Sequence, residues 1–151
     1  MAASAETDRR DALVERLFEA VLGFNDLHAV YLGDRLGLDA ALAGGASTPP
    51  EVATAAGCDE RYVREWLEHQ AVGGILEVGD VAAAPDERRY RIPAGHDEVL
   101  LDRDSVNYMA AFARMMVGMA QPLPQVLEAF RSGEGVAYAD FPPDFVEGQG
   151  D

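Results

Sequence analysis

The apolar positions near the N-terminus recur at the three- and four-residue intervals of an α-helix. They fall in two runs, Leu13, Leu17 and Val21 in the first and Leu27, Val30 and Tyr31 in the second. Gly23 lies between the earlier and the later positions, where it either separates two helices or bends a single long one. We therefore predict N-terminal helices over residues 8–47, preceded by a disordered tail over residues 1–7.

The stretch "TPPEVATAAG" carries the signals that begin and end a short helix. Thr48 suits the N-cap, Pro49 suits the first helical position, and Glu51 completes a capping box. Gly57 suits the left-handed conformation that often follows the last helical residue. Asp59 then provides the N-cap of a second helix. This close succession predicts two helices joined by a tight turn.

The second of these helices places its apolar residues on one face, which we expect to lie against the core. The face consists of Val63, Trp66, Leu67 and Gln70. Glycines end the helix, and the segments "ILEV" and "RRYRIP" are typical of two short strands joined by a loop. Two helices followed by a strand pair form a winged helix-turn-helix, which we predict over residues 48–93.

Helical spacing returns after the predicted wing. We expect C-terminal helices over residues 94–132, interrupted where Pro122 and Pro124 cannot continue a helix. The final segment, residues 133–151, is rich in Gly, Pro and acids and is predicted to be an extended linker. The fold class expected from these elements is mainly α: a winged helix-turn-helix with flanking helices and a two-stranded wing.

One C-terminal helix carries a wide apolar stripe rich in methionine. Its members are Tyr108, Phe112, Met115, Met116 and Met119. Such a stripe is typical of packing in the core or at a dimer seam. It also suits the wall of a pocket, because methionine adapts to apolar ligands of varied shape. Tyr138 and Phe141 in the final segment are candidates for the same pocket, whose ligand would be a small apolar or aromatic molecule.

Acidic residues outnumber basic ones 27 to 12 and give a formal net charge of -15, which bears on whether the winged helix binds DNA. The basic residues best placed to face DNA are Arg61, Arg64, Arg88 and Arg89. Glu65 and Glu68 share the outward face of the second helix, and two further acids precede the wing arginines. Because DNA affinity depends largely on neutralising phosphates, the charge pattern argues against nucleic acid as a partner.

The sequence contains no pattern typical of a catalytic or metal site. His28, His69 and His96 are scattered, without Cys or carboxylates at the spacing of metal ligands. Cys58 is the only cysteine, which excludes an intrachain disulfide and suits a reducing compartment. The segment "ILEVGDVAAAP" has one glycine where nucleotide-binding loops have several, so we predict no cofactor site there.

Two further features concern location. The N-terminal segment "MAASAETDRRDALVERL" lacks the apolar region of a signal peptide. No uninterrupted apolar stretch is long enough to span a bilayer. We therefore expect a cytoplasmic protein with no membrane partner.

Four segments form a distinctive set: "LGDRLGLDAALAGG", "TPPEVATAAGCDERYVREWLEHQAVGGILEV", "YRIPAGHDEVLLDRDS" and "GEGVAYADFPPDFVEGQGD". They resemble the N-terminal winged-helix region of a family of class I S-adenosylmethionine (SAM)-dependent methyltransferases, whose members are often labelled transcriptional regulators. The most specific part is "ERYVREWLEHQAVGGILEV", because a generic helix-turn-helix has no need of its Arg-Glu-Trp-Leu run. The resemblance extends from about Asp8 to the end of the chain.

The resemblance implies that this region pairs with a second copy in a homodimer and covers the active site of a Rossmann-like domain that holds SAM. It also implies that helices of the cap contribute to a substrate pocket. The N-terminal positions Leu13, Leu17, Val21, Val30 and Tyr31 are then the candidate dimer interface. The chain departs from the family in lacking the Rossmann domain, so no SAM-binding or catalytic residue can be assigned in it.

The expected function is therefore that of a dimerisation and substrate-cap domain of a small-molecule methyltransferase. We expect no catalysis by the chain itself and no cofactor in it, with SAM bound elsewhere in the full-length enzyme. Either the chain is part of a longer enzyme, or it is a stand-alone homologue that kept only the cap. A small dimeric winged-helix transcriptional regulator is the alternative, and a protein-interaction module is a third.

Overall fold

The structure has the predicted winged helix-turn-helix, with further helices before and after it in the sequence. The computed structural model describes residues 2–150, with side chains from residue 5 onward. The helices are α1 Ala2–Leu36, α2 Leu38–Ala41, α3 Pro49–Ala56, α4 Glu60–Val72, α5 His96–Leu100, α6 Ala110–Ala120, α7 Leu123–Ser132 and α8 Pro143–Gly150. Strands β1 Glu77–Val78 and β2 Tyr90–Arg91 form the wing, and Tyr138–Asp140 is a 3-10 turn.

The helix-turn-helix is formed by α3 and α4, and its capping signals are confirmed. The Thr48 N–H donates to the Glu51 carboxylate at 2.8 Å, and Pro49 is the first residue of α3. Gly57 follows α3 with a φ of 66°, in the left-handed region that favours glycine. The Asp59 carboxylate accepts from the N–H of Arg61 at 3.1 Å and so caps α4.

The predicted inner face of α4 is also confirmed. Its buried residues are Val63, Trp66, Leu67 and Gln70. The indole Nε1 of Trp66 donates to the carbonyl of Ala29 at 2.8 Å, which joins α4 to α1. Trp66 is buried and its only hydrogen-bond donor is satisfied by α1. Together these two contacts fix α1 against the winged helix.

The wing is shorter than the sequence predicts. Strands β1 and β2 pair antiparallel, with Val78 opposite Tyr90. The chain before Glu77 does not join the sheet because the N–H groups of residues 75 and 76 donate to the carbonyl of Gln70. The pairing extends instead on the other side, where the backbone groups of Ser47 and Tyr90 exchange two hydrogen bonds of 2.9 Å. This bridge ties the segment before α3 to the wing.

Helix α1 is continuous through Gly23 and includes residues 2–7, which differs from the predicted tail over residues 1–7. Met1 lies outside the described residues. One glycine costs a helix only about 1 kcal/mol, too little to break a helix that is favourable on both sides. Although α1 has 35 residues, none of the helices in the described part of the chain combines the length and apolarity needed to cross a membrane.

The segment predicted as a linker, residues 133–151, ends in helix α8, which packs closely against α6; Asp151 lies outside the described residues. The approach depends on two glycines. A Cβ at Gly118 would lie 2.6 Å from the backbone nitrogen of Phe145, and a Cβ at Gly148 would lie 2.6 Å from the carbonyl oxygen of Ala111. Gly148, one of the glycines that favoured a linker, therefore serves helix contact instead.

Candidate functional site

The wing arginines proposed to face DNA are neutralised by carboxylates of the same domain. Arg88 donates to the Glu68 carboxylate at 3.0 Å and to the carbonyl of Ala83 at 3.2 Å. Arg89 pairs with Glu51, whose two oxygens each lie 3.3 Å from a terminal nitrogen of the guanidinium. These pairs tie the wing to α3 and α4 and reduce the charge that the wing offers to phosphates.

The other two arginines lie on α4. Arg61 is exposed, with its guanidinium carbon 5.9 Å from the centre of the Tyr62 ring, whereas Arg64 is half-buried. Glu60 and Glu65 are exposed on the same helix. Two arginines beside two acids give this helix little net positive potential, so the surface is poorly suited to nucleic acid.

The first half of α1 exposes apolar side chains along its length. Every residue from 5 to 25 is exposed, and the large apolar side chains among them remain 49% to 62% accessible. We call this set the α1 apolar face: Leu13, Val14, Leu17, Phe18, Val21, Leu22 and Phe24. Leu13, Leu17 and Val21 were predicted from the sequence. The other four were not, although they follow at helical spacing from the same three positions.

Two predicted members of the dimer surface lie elsewhere. Val30 is buried in a cluster with Leu100 and Tyr108. The hydroxyl of Tyr31 donates to the Asp144 carboxylate at 2.7 Å, and this hydrogen bond is the main cause that raises the pKa of Tyr31. Both side chains therefore pack within their own chain, because the second half of α1 contacts α8 through Tyr31 and Arg35 and packs beside Leu100 and Tyr108, whereas residues 5–25 are exposed.

Tyr108 does not belong to the predicted pocket wall, because it lies before α6 and is buried. Its hydroxyl donates to the Asp34 carboxylate at 2.8 Å. Burial, assisted by the hydrogen bond to Asp34 and its charge, raises the pKa of Tyr108 to about 12. The helix starts only at Ala110 because the preceding residues form turns in which Ser105 donates to Glu98 at 2.6 Å. Tyr108 therefore does not share a helical face with the residues of α6, although the spacing had predicted this.

The other members of the stripe lie on α6. Phe112, Met116 and Met119 are 41% to 51% exposed, and we call them the α6 apolar face. Met115 is half-buried beside Gly148 of α8. The buried side of α6 consists mostly of small residues: Ala110, Ala111, Ala113, Arg114 and Gly118. The stripe is therefore the outward side of α6, which leaves it available to a ligand or to another domain.

Tyr138 and Phe141 lie together near the C-terminal end of α6. Their ring centres are 6.3 Å apart, and Phe145 of α8 lies 4.5 Å from Phe141 and 6.1 Å from Tyr138. Phe145 in turn lies against Gly118 of α6. We call these three rings the aromatic cluster. Phe145 was not predicted as a site residue, because residues 133–151 have the composition of a linker.

The described residues offer no arrangement typical of a metal or nucleotide site. No group of three or more His, Cys, Asp or Glu side chains within them could hold a metal ion. Gly79, the glycine of "ILEVGDVAAAP", donates its N–H to the carbonyl of Arg89 at 2.9 Å, as part of the wing. Its backbone is thus committed to the hairpin.

Comparison with known proteins relates this architecture to methyltransferases. The Rv2258c-like winged HTH domain matches residues 28–103. Mitomycin 7-O-methyltransferase MmcR is 24% identical, with a TM-score of 0.64, over 96% of this chain and 39% of its own. Human N-acetylserotonin methyltransferase, solved with SAM, is 16% identical, with a TM-score of 0.64, over 82% of this chain and 36% of its own. PigF, solved with SAH, is 18% identical, with a TM-score of 0.64, over 89% of this chain and 42% of its own.

At these identities the structural similarities show the fold alone. The chain spans about two fifths of the length of each of these solved methyltransferases. No curated protein matches the sequence.

Proposed function

Because the chain belongs to the Rv2258c-like winged helix-turn-helix domain family and shares its fold with solved methyltransferases, we propose that it is the dimerisation and substrate-cap domain of a SAM-dependent methyltransferase. The substrate is a small apolar or aromatic molecule. In this proposal SAM binds to a separate domain of the full-length enzyme, and the cap supplies pocket side chains rather than catalytic groups.

The α1 apolar face carries the proposal. Soluble monomers rarely expose so many large apolar side chains on one element, and such a surface usually marks an interface. The face lies along a helix that extends beyond the winged helix, so the same face of a second copy can pair with it. Val30 and Tyr31, which pack inside the chain, would hold the base of α1 in place for that pairing rather than contact the partner.

The cap role is supported by the α6 apolar face and the aromatic cluster. Phe112, Met116 and Met119 form an adaptable apolar surface, and Tyr138 and Phe141 lie near one end of the same helix. Tyr138 also offers a hydroxyl, which donates to Gln149 at 3.1 Å and could exchange that partner for a polar group of a substrate. Apolar walls with few polar groups are typical of small-molecule pockets.

Size-exclusion chromatography with light scattering tests the dimer. The wild-type chain should have twice the monomer mass at micromolar concentration. Leu17→Asp places a charge in the middle of the α1 apolar face and should shift the protein to monomer. Ala12→Asp adds the same charge on the opposite side of α1 and should leave the dimer intact. A wild-type monomer at high concentration, or equal behaviour of the two variants, would contradict the proposed pairing.

Isothermal titration calorimetry with SAM tests where the cofactor binds. The chain alone should release no binding heat, because no glycine-rich phosphate or nucleotide loop is found in its sequence. Micromolar affinity for SAM would place a cofactor site within these residues and refute the cap-only assignment.

A DNA-binding regulator is the second candidate function. It is favoured by the winged-helix fold and by Arg61 and Arg64, which form no ion pair with a carboxylate among the described residues. Electrophoretic mobility shifts should be measured at low salt, where electrostatic binding is strongest. A shift that Arg61→Ala or Arg64→Ala weakens by about 1–3 kcal/mol would support the regulator. The absence of any shift would exclude it.

A further inference from the structure

An apolar pocket opens between the second half of α1, the turn that follows α4, helix α5 and the segment before α6. Its volume is about 220 Å³. Its apolar walls are formed by Leu27, Val30, Ile75, Val99, Leu100 and Met109. An engineered apolar cavity of about 150 Å³ holds benzene, so this pocket has room for one aromatic ring with a small substituent.

The pocket is accessible to a small molecule. Val30 and Leu100 are buried and form its base. Leu27 and Val99 are half-buried, and Met109 is 43% exposed, so these residues form its mouth. The thioether side chain of methionine is flexible and makes favourable contacts with aromatic rings, which suits Met109 to a planar ligand.

Among the residues that line the pocket, His96 has the only polar side chain. Its Nδ1 lies 2.9 Å from the carbonyl oxygen of Ile75. Because a carbonyl oxygen can only accept, Nδ1 carries the hydrogen of the neutral ring and Nε2 is the acceptor. Nε2 has no hydrogen-bond partner among the described residues, and it is not sealed from solvent. The pocket therefore combines an apolar wall with one acceptor that a ligand can use.

The pocket is distinct from the aromatic cluster proposed to contact the substrate. Met109 immediately precedes α6, whereas Phe145 of the cluster lies against Gly118 near the other end of that helix. The 11 residues of α6 extend about 16 Å at 1.5 Å per residue. A ligand with a single ring is too short to contact both places.

We propose that this pocket binds a small aromatic molecule with one hydroxyl group, of the size of phenol, whose O–H donates to Nε2 of His96. Contact of the ring with the apolar walls supplies most of the affinity, and the hydrogen bond sets the orientation of the ring. A charged ligand fits poorly, because no Asp, Glu or Arg side chain lines the pocket to compensate for desolvation. The site does not depend on the proposed methyltransferase role, since it needs neither SAM nor a second domain.

Titration of phenol at pH 8, followed by nuclear magnetic resonance of ¹³C-labelled methionine methyl groups, tests the location. The methyl signal of Met109 should shift saturably. Met119 is 44% exposed on the same helix as the proposed substrate surface, and its signal should not shift. No saturable shift of Met109, or an equal shift of Met119, would overturn the proposal.

Filling the pocket gives a second test of the location. Val99→Phe places a ring inside the pocket and should abolish the binding of phenol. Val106→Phe, the same change at a position that is 98% exposed, should leave the affinity unchanged. Equal affinity of the two variants would place the ligand elsewhere. Should Val99→Phe fail to fold, the comparison of histidine variants below decides.

The role of His96 is tested by comparing phenol with toluene, which has a similar size and no donor. His96→Leu should weaken the binding of phenol about 2- to 10-fold, as expected for one hydrogen bond, and should change the affinity for toluene less than twofold. His69→Leu removes an exposed histidine of α4 and should change neither affinity. Equal losses for phenol and toluene in His96→Leu would show that Nε2 accepts no hydrogen bond from the ligand.

A second copy of the chain is the competing occupant, because Leu27 follows the α1 apolar face along the same helix. Wild type and Leu17→Asp, the variant designed to be monomeric, should therefore be compared. Equal affinity for phenol would support the ligand site whether or not the chain forms the proposed dimer. Binding by Leu17→Asp alone would show that the partner fills the pocket, and would overturn the proposal.

Discussion

The two halves of α1 have similar apolar spacing but different surroundings. Residues 5–25 are all exposed, including the α1 apolar face. In the second half Ala29 and Val30 are buried, and the carbonyl of Ala29 accepts from Trp66. Apolar spacing therefore predicts that a helix has an apolar face, but it does not predict which surface covers that face. Among the described residues of α1, only those of the second half are covered by other elements of the chain.

A buried charge in the second half should have the largest effect. Val30→Asp places a carboxylate beside Leu100 and Tyr108 and should lower the free energy of unfolding by about 4 kcal/mol or more. Leu17→Asp, the matched change in the first half, should alter the unfolding of the monomer by no more than about 0.5 kcal/mol. Urea denaturation followed by circular dichroism at low protein concentration measures both. Similar losses would show that the two halves do not differ as described.

Asp39, which lies against Gly33 of the second half, should make stability depend on pH. A carboxyl group whose pKa is raised by folding stabilises the native state below its unfolded pKa. That stabilisation is lost as the pH rises from about 4 to about 7. Asp39→Asn should therefore exceed the wild type in stability by about 2 to 4 kcal/mol at pH 8. Urea unfolding across the pH range should show this advantage shrinking toward zero near pH 4, and a constant advantage would contradict the raised pKa.

Loss of the hydrogen bond between α4 and α1 should have an intermediate effect. Trp66→Phe keeps an aromatic ring but removes the indole donor, so the carbonyl of Ala29 retains only its hydrogen bond within α1, and the lost bond together with the smaller ring should cost about 1–2 kcal/mol. Tyr62→Phe, an aromatic change on the exposed side of the same helix, serves as the control and should cost less than about 0.5 kcal/mol. Chemical unfolding compares the two variants. No difference between them would mean that this bond does not hold the second half of α1.

The smallest effect should follow Tyr31→Phe. The variant removes the hydrogen bond to Asp144, but Arg35 still pairs with that carboxylate at 2.9 Å, so the cost should be about 0.5–1.5 kcal/mol. Because this contact joins α8 to α1, amide hydrogen exchange should rise in α8 and stay unchanged in α4. Uniform exchange changes would indicate that Tyr31 supports the whole domain rather than the attachment of α8.

The winged helix was predictable because its signals are local. Thr48, Glu51, Gly57 and Asp59 each act on backbone groups within a few residues, and the inner face of α4 follows from helical spacing. The stripe on α6 was predicted with one wrong member. Tyr108 falls outside the helix because Glu98, ten residues earlier, accepts from the turn that precedes α6.

The C-terminal helix and the burial of Asp39 could not be predicted from the sequence, for a different reason. Gly118 and Gly148 are needed only because α6 and α8 approach closely, and a single sequence cannot show that approach. Asp39 lies in the short helix "LDAA", where an acidic residue is ordinarily exposed. It is buried against Gly33 of α1, next to Asp34, which contacts the distant residues Tyr108 and Arg114.

The sequence by itself determined the order of the helices before α8, the caps of α3 and α4, the inner face of α4 and the acidic charge that argues against DNA. Those properties depend on interactions within a few residues of the chain or on composition. Only the tertiary structure decided that half of α1 is covered and half is exposed, and that the carboxyl group of Asp39 is buried without a donor. Burial depends on which elements meet in space, and elements that are far apart in sequence meet through packing that no local pattern encodes.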